Sequence, residues 1–247
     1  MKLLKRPRQN NLVIPVNLAV NVVRKKLISQ FKLFAYLKIH SSGIFENEYG
    51  LAGKLALELK VSRNTIKNWI SCLIQLDWIG YDRITNLYYI RSFDRLCKLE
   101  DIKSKYGVVF SVSKFEKFEG FISAIPYAYL HNVKIKRDQG WAVHLRGNTF
   151  QPTRNLSSYV PIAINAVAKY YLISATRAHS LRKIAEKNGF LKIAPNFKLL
   201  NETTFFKIHL IKQYEEAIIG KNIFIKKGQT FARFPDLVLS NIQFTKR

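Results

Sequence analysis

The chain has 247 residues, 48% of them hydrophobic, which is long enough for one large domain or two small ones and too apolar for a disordered protein. Its 41 basic and 16 acidic residues give a formal net charge of +25 at pH 7. Because self-repulsion of that size opposes compaction, we expect a polyanionic partner, with nucleic acid favoured over an anionic membrane.

The composition also restricts the cofactors and the compartment. Cys72 and Cys97 are too few for a disulfide framework or a cysteine-based metal site. The apolar run Leu12–Val23 contains Pro15 and two asparagines, so we do not expect a signal peptide, and no run has the length of a membrane span. We therefore expect a cytoplasmic protein with no metal, no cofactor and no membrane partner.

The N-terminal part is predicted to hold an arm, a strand and two helices. Residues 1–11 form a basic arm, interpreted as a solvated tail or as an arm that reaches into a minor groove. Leu12–Val23 is expected to pack as a strand and a short helix. Ser29 is placed to cap a further helix, Gln30–His40, in a domain that spans residues 12–95.

The stretch Leu51–Ile90 has the most informative pattern in the chain. Apolar residues recur at three- and four-residue spacing and predict two short amphipathic helices, the first with Leu51, Leu55, Ala56 and Leu59 inward and the second with Ile66, Trp69, Ile70 and Leu73 inward. Val61 is predicted to turn the chain between them, and Ser62 to cap the second helix. Trp78–Tyr81 and Leu87–Ile90 then predict a hairpin with a polar tip.

Taken together, this order of elements resembles a winged helix-turn-helix domain. The resemblance implies that the second helix enters the major groove of DNA and reads bases with its outward residues Arg63, Asn64, Lys67, Asn68 and Ser71. It also implies that Arg83, in the hairpin or wing, contacts phosphate. A helical hairpin inside a larger core is the alternative interpretation of the same spacing.

The middle of the chain is predicted to mix helix and strand. Val108–Val112 is a strand candidate, and a helix with several phenylalanines follows it until Pro126 ends or kinks it. Val133–Lys136 and Trp141–Arg146 flank a turn-forming tetrapeptide and predict a hairpin. The basic residues of this hairpin are interpreted equally as phosphate contacts or as a solvated face.

A second stretch, Val167–Leu191, matches Leu55–Ile79 without gaps, position for position from Val167 against Leu55. The match predicts a second helix-turn-helix, with Ser174 as the N-cap and Gly189 at the helix end. The residues that match inward positions are Val167, Ala168, Tyr171, Ala178, Leu181, Ala185 and Leu191. The residues expected at the DNA surface are Thr176, Arg177, His179, Ser180, Arg182 and Lys183.

The alternative is that this spacing recurs by chance on an ordinary amphipathic helix. The following hairpin is expected from Phe190–Ile193 and Thr203–Leu210, with Ala194–Asn201 as a long wing. Lys192 or Lys198 of this hairpin is expected to contact phosphate. Further along, a helix and two short strands are expected over Ile211–Ile219, Ile223–Ile225 and Leu237–Leu239.

No catalytic site is predicted. His179 and Arg182 have the spacing of the His-x-x-Arg pair of tyrosine recombinases, and Tyr214 follows as a conceivable nucleophile. The other motifs of those enzymes are missing, however, and the helix-turn-helix register accounts for both residues. The five histidines form no pair with metal-ligand spacing. We therefore do not expect an enzyme.

The sequence thus predicts an α+β fold with two winged-helix units joined by a mixed α/β middle segment. The second unit, at about residues 157–210, lies in a C-terminal domain over residues 96–247. Two such units in a basic chain are similar to the replication initiators of plasmids and phages.

That resemblance implies a non-enzymatic protein, monomeric or homodimeric, that binds double-stranded DNA repeats of an origin in successive major grooves. It also implies host replication or transcription proteins as partners. A transcription regulator of a mobile element would use the same parts. So would a structural or polymerase-associated viral protein in which winged helices are docking modules.

Overall fold

A computed structural model describes residues 10–146, 159–199, 223–226 and 229–246. Up to residue 146 the elements are β1 (Asn11–Pro15), α1 (Val16–Arg24), α2 (Ile28–His40), β2 (Ile44–Glu46), α3 (Leu51–Leu59), α4 (Arg63–Gln75), β3 (Ile79–Asp82), β4 (Leu87–Ile90), α5 (Phe93–Leu99), β5 (Tyr106–Ser111), a 3-10 helix (Val112–Lys117) and α6 (Phe118–Arg146).

From residue 159 they are β6 (Val160–Pro161), α7 (Ile164–Tyr171), α8 (Ala175–Lys187), β7 (Leu191–Ala194), β8 (Phe197–Leu199), β9 (Ile223–Lys226), β10 (Gln229–Arg233), β11 (Leu237–Ser240) and β12 (Gln243–Lys246). The described strands lie in four three-stranded antiparallel sheets. The α+β class predicted from the sequence is confirmed.

The chain divides into two compact units, and the division falls within helices α6 and α8. Of the described residues, the first unit contains 10–126, 181–190 and 241–246, and the second contains those between 127 and 180 and between 191 and 240. The predicted boundary at residue 95 stays a prediction. The predicted arm, residues 1–11, lies almost entirely outside the described residues.

The first unit has one sheet of order β1-β5-β12, so the two ends of the chain pair with the same central strand. Leu12 and Ile14 of β1 are buried opposite Phe110 and Val108 of β5. The predicted strand and helix in Leu12–Val23 are confirmed. Helix α2 is confirmed as well, but it begins at Ile28 without a side-chain cap, so the expected Ser29 cap is wrong.

Aromatic rings fill the core of the first unit. Trp78 is fully buried, and its ring lies 5.9 Å from that of Phe31 and 5.8 Å from that of Phe34, both in α2. Edge-on contacts of this kind add to the gain from burying the rings. Because Trp78 directly precedes β3, this packing holds the β3–β4 hairpin against α2.

Helix α5 follows the β3–β4 hairpin. At its C-terminal end, Glu100 accepts hydrogen bonds from Asn21 and Lys25 of the α1 region. Burial alone would raise the pKa of the Glu100 carboxyl, but these hydrogen bonds outweigh burial and lower its pKa. The carboxylate therefore stays ionised and ties α5 to α1.

One prediction for the middle segment is wrong, because α6 covers Val133–Lys136 and Trp141–Arg146, where a hairpin was predicted. Helix α6 also continues through Pro126, so of the two effects expected there, an end or a kink, the helix end is excluded. The first half of α6 is almost completely buried, including Ile122, Ile125 and Ala128. This burial favours continuous helix over the local turn preference of four residues.

The second unit has a sheet of order β6-β11-β7. Val238 of β11 is completely buried and pairs with Val160 of β6 and Ile193 of β7. Thr203–Leu210, the stretch expected to pair with β7, lies outside the described residues. The described strand next to β7 is β11. Ala194–Asn201, expected as a long wing, contains β8, which pairs with β10.

The two short strands expected near the C-terminus are confirmed as β9 and β11. The helix expected over Ile211–Ile219 falls in a stretch that the structure does not describe. Among the helices that are described, none combines the length and the apolar character needed to cross a membrane.

Candidate nucleic-acid interface

Helix α4 begins at a defined residue because Ser62 caps it. The Ser62 backbone is extended (φ −71°, ψ 152°), and its Oγ accepts a hydrogen bond from the backbone N–H of Thr65 at 3.1 Å. Before it, Lys60 takes a left-handed conformation (φ 56°) that ends α3. The predicted cap is confirmed, and it fixes which side chains of α4 face outward.

The two faces of α4 differ sharply in burial. Ile66, Ile70 and Leu73 have at most 8% of their surface exposed. Trp69, predicted for the same inner face, is only half-buried because it lies at the edge of this stripe, so that part of the prediction is wrong. All five residues predicted for the outer face are exposed: Arg63, Asn64, Lys67, Asn68 and Ser71.

The outer face of α4 is basic. The helix contains no acidic residue. Nearby Lys60 is paired with Glu116 at 3.1 Å, whereas no ion pair between described residues involves Arg63 or Lys67. Two cations without a counter-charge on one helix face attract an anionic ligand.

A groove of about 610 Å³ runs along one side of α4. The helix lines it with Arg63, Lys67, Ile70, Ser71 and Ile74. The loop between β2 and α3 lines the other side and contributes Tyr49, whose side chain is 99% exposed. Asn64 and Asn68 lie on α4 outside this groove, so three of the five predicted α4 residues share it.

The loop opposite α4 carries one acid, Glu48. Lys54 Nζ donates to Glu48 Oε2 at 2.9 Å, and this hydrogen bond lowers the pKa of the Glu48 carboxyl. The carboxylate is therefore ionised, and Lys54 balances its charge. The two unpaired cations of α4 thus leave the groove with a positive net charge.

The β3–β4 hairpin is joined to the same loop by hydrogen bonds. The backbone N–H of Asn47 donates to the Asn86 carbonyl at 3.0 Å, and Asn47 Nδ2 donates to Tyr81 Oη at 3.3 Å. Arg83, the predicted phosphate contact, is exposed at the hairpin tip. Asn47 therefore connects the groove beside α4 with the hairpin.

The second predicted set of residues, on α8, is less exposed. Thr176 and Lys183 are exposed, and the half-buried ones are Arg177, His179, Ser180 and Arg182. The hydroxyl of Ser180 donates to the Thr176 carbonyl at 3.0 Å, so its proton is used within the helix. Helix α8 thus offers a ligand fewer free polar groups than α4 does.

The turns before α4 and α8 nevertheless have the same geometry. Leu172 has φ 55° where Lys60 has φ 56°. Ser174 Oγ accepts from the backbone N–H three residues ahead at 3.1 Å, the same distance as for Ser62. Both helices have 13 residues. The residues predicted to be inward in this second copy are all buried: Val167, Ala168, Tyr171, Ala178, Leu181, Ala185 and Leu191.

The predicted site omitted Asn47 and Tyr49, which precede the predicted helix at Leu51 and lie outside its apolar pattern. The available signal was the pair Tyr49-Gly50 directly before that helix. Gly50 adopts φ 85°, a conformation that favours glycine, and it starts α3 directly after Tyr49. Of the predicted wing lysines, Lys192 is exposed, while the side chain of Lys198 lies outside the described part.

Within the described ranges, no group of three or more His, Cys, Asp and Glu side chains is arranged to hold a metal ion. His179 and Arg182, which have the spacing of a recombinase pair, both lie on α8. Tyr214 lies outside the described residues. Comparison with protein-family models, with curated proteins and with solved structures finds no match for this chain.

Proposed function

We propose that this protein binds double-stranded DNA sequence-specifically, with α4 as the helix that enters the major groove and the β3–β4 hairpin as the wing. The order α3, α4, β3 and β4 supports a winged helix, and β2 joins the same sheet in the order β2-β4-β3. Ile66, Ile70 and Leu73 of α4 are buried, so the opposite, polar face of the helix points away from the core.

The observation that carries the proposal is the outer face of α4. It presents five exposed polar residues, contains no acid, and has two cations that no described acid neutralises. If this face only contacted water, nothing would require it to combine two cations with no acidic residue. Phosphate and base edges are ligands that suit it.

The residue types on α4 suit different parts of a DNA site. Arg63 can donate two parallel hydrogen bonds to guanine, and Asn64 or Asn68 can bond adenine through its amide. Lys67 and Arg83 suit phosphate oxygens. Tyr49, exposed beside the groove, is an additional candidate for contact with the DNA backbone.

The second helix-turn-helix copy, formed by α7 and α8, supports a second DNA-reading helix. The turn before α8 copies the turn before α4, and the sheet order β6-β11-β7 places strands as in β2-β4-β3. We therefore propose α8 as the second reading helix, with Thr176 and Lys183 as its most accessible contacts.

We further propose that the protein is a replication initiator of a mobile element that binds origin repeats. This step depends on the resemblance of the sequence to plasmid and phage initiators. A transcription regulator would use the same DNA-binding residues, and the location of the binding sites in the parent DNA distinguishes the two.

The first test measures DNA affinity as a function of salt by fluorescence anisotropy, with a labelled random-sequence duplex. The variant Arg63→Ala/Asn64→Ala/Lys67→Ala should bind more weakly. On a random-sequence duplex both removed cations, Arg63 and Lys67, are expected to contact phosphates. The slope of log affinity against log salt should therefore be smaller by about 1.8, because each lost phosphate contact contributes about 0.9. Circular dichroism melting should show that the variant is folded.

The matched control is Arg95→Ala/Lys98→Ala, which removes two exposed cations of α5 that do not line the groove. It should keep nearly the wild-type slope. If the two variants lose the same affinity and slope, binding depends on net charge rather than on α4, and the proposal fails.

A further inference from the structure

The tip of the β3–β4 hairpin carries an isoleucine that packs against almost nothing. Ile84 is 96% exposed, although most other isoleucines among the described residues are buried. It follows Arg83, whose side chain is also exposed. An apolar side chain held in water at the end of a projecting hairpin is available for insertion into a ligand.

The hairpin tip is held in one conformation by its own polar groups. Asp82 Oδ1 accepts the Ile84 backbone N–H at 2.9 Å, and Asp82 Oδ2 accepts the Thr85 hydroxyl at 2.7 Å. These hydrogen bonds lower the pKa of the Asp82 carboxyl, so it stays ionised and keeps bracing the turn. Ile84 is thus presented on a preorganised turn.

The tip is also tied to the loop that lines the groove of α4. Tyr81 Oη donates to Asn86 Oδ1 at 2.8 Å, and Asn86 Nδ2 donates to the Asn47 carbonyl at 3.3 Å. Asn86 itself has a left-handed backbone (φ 55°) that closes the turn. The position of Ile84 is therefore fixed relative to the groove beside α4.

The size and surroundings of Ile84 indicate what it contacts. A protein-docking patch usually needs several hundred Å² of contiguous apolar surface. Here the neighbours at the tip are Asp82, Arg83, Thr85 and Asn86, all polar, so the apolar area is that of one side chain. A single Ile is the kind of wedge that proteins insert between base pairs from the minor groove.

We propose that Ile84 inserts between two adjacent base pairs in the minor groove while α4 occupies the neighbouring major groove. Arg83 beside it contacts the DNA backbone and offsets the charge of Asp82. The insertion unstacks one base step and bends the duplex toward the major groove. This inference rests on the proposed DNA binding and adds a second mode of recognition, through the deformability of a base step.

The test uses a short duplex that carries the sequence enriched by the protein from a random pool. 2-Aminopurine, a base whose fluorescence rises when it is unstacked, replaces each position in turn. Wild-type protein should raise the fluorescence at one step and bend the duplex, as measured by end-to-end energy transfer. Ile84→Ala should still bind but lose both signals, and Ile84→Leu should retain them.

The control variant is Leu57→Ala, which removes another exposed apolar side chain, 83% exposed on α3. It should leave both signals unchanged. The proposed insertion of Ile84 is wrong if wild type binds without unstacking any step, or if Ile84→Ala keeps the unstacked step and the bend. Either result leaves the proposed DNA binding unaffected. If Ile84 instead contacts a protein partner, wild type should bind DNA without unstacking a base step. If wild type does not bind duplex DNA at all, the proposed function fails instead.

Discussion

At the scale of single residues, the two tryptophans Trp69 and Trp78 differ in burial. Trp69 is in α4 at helical spacing with apolar neighbours, which predicts burial, yet it is only half-buried. Trp78 is outside the helical pattern, at the start of the hairpin, and it is fully buried against Phe31 and Phe34. Periodicity identifies the face of a helix, but the position at the centre of a core depends on distant residues.

We expect Trp78→Ala to destabilise the first unit by about 3–5 kcal/mol, because it leaves a large cavity among packed rings. Trp69→Ala should cost clearly less, since part of that side chain already contacts water. Urea unfolding followed by circular dichroism measures both free energies of unfolding. Equal losses for the two variants would contradict the assignment of Trp78 to the centre of this core.

At the scale of elements, the serine caps show which features are local enough to be predicted. Ser62 and Ser174 were both assigned as N-caps from the sequence, and each accepts the expected backbone hydrogen bond at 3.1 Å. A cap depends on a few consecutive residues, so it can be inferred without knowledge of the rest of the fold. Helix α2, by contrast, starts at Ile28 without a side-chain cap, so a capping residue could not mark its start in the sequence.

Replacement of either capping serine should weaken the helix that follows it. We expect Ser62→Ala and Ser174→Ala each to reduce the free energy of unfolding by about 1 kcal/mol, because one backbone N–H loses its partner. Ser71→Ala is the control, since Ser71 is exposed within α4 and alanine favours helix. Chemical denaturation measures all three. Equal stabilities for the cap variants and the control would show that these hydrogen bonds contribute nothing.

The errors of the sequence analysis occur where distant contacts override local preference. Residues 137–140 have the composition of a turn, but they lie within α6, whose first half is buried. The strand found beside β7 is β11, which lies beyond β8, β9 and β10, and the sequence analysis did not predict this pairing. Pairing between strands so far apart leaves no local signal in the sequence.

At the scale of the whole molecule, the exposed outer face of α4 could be predicted from the spacing of its apolar residues and from its cap. The groove could not be predicted, because it requires the loop with Tyr49 to lie opposite Arg63 and Lys67. The net charge of +25 predicted a polyanionic partner, and α4 is a place where positive charge stands without a described counter-charge. We infer the class of ligand from the net charge, and we propose the outer face of α4 as the place where it binds.

The central claim is that the protein recognises particular DNA sequences through two helices. The most direct measurement is selection of random duplex DNA by the purified protein at about 0.15 M salt, a physiological ionic strength, followed by sequencing. The account predicts an enriched motif with two separate half-sites, and the Arg63→Ala/Asn64→Ala/Lys67→Ala variant should lose one of them. No enriched motif, with binding that disappears steeply as salt rises, would contradict the claim.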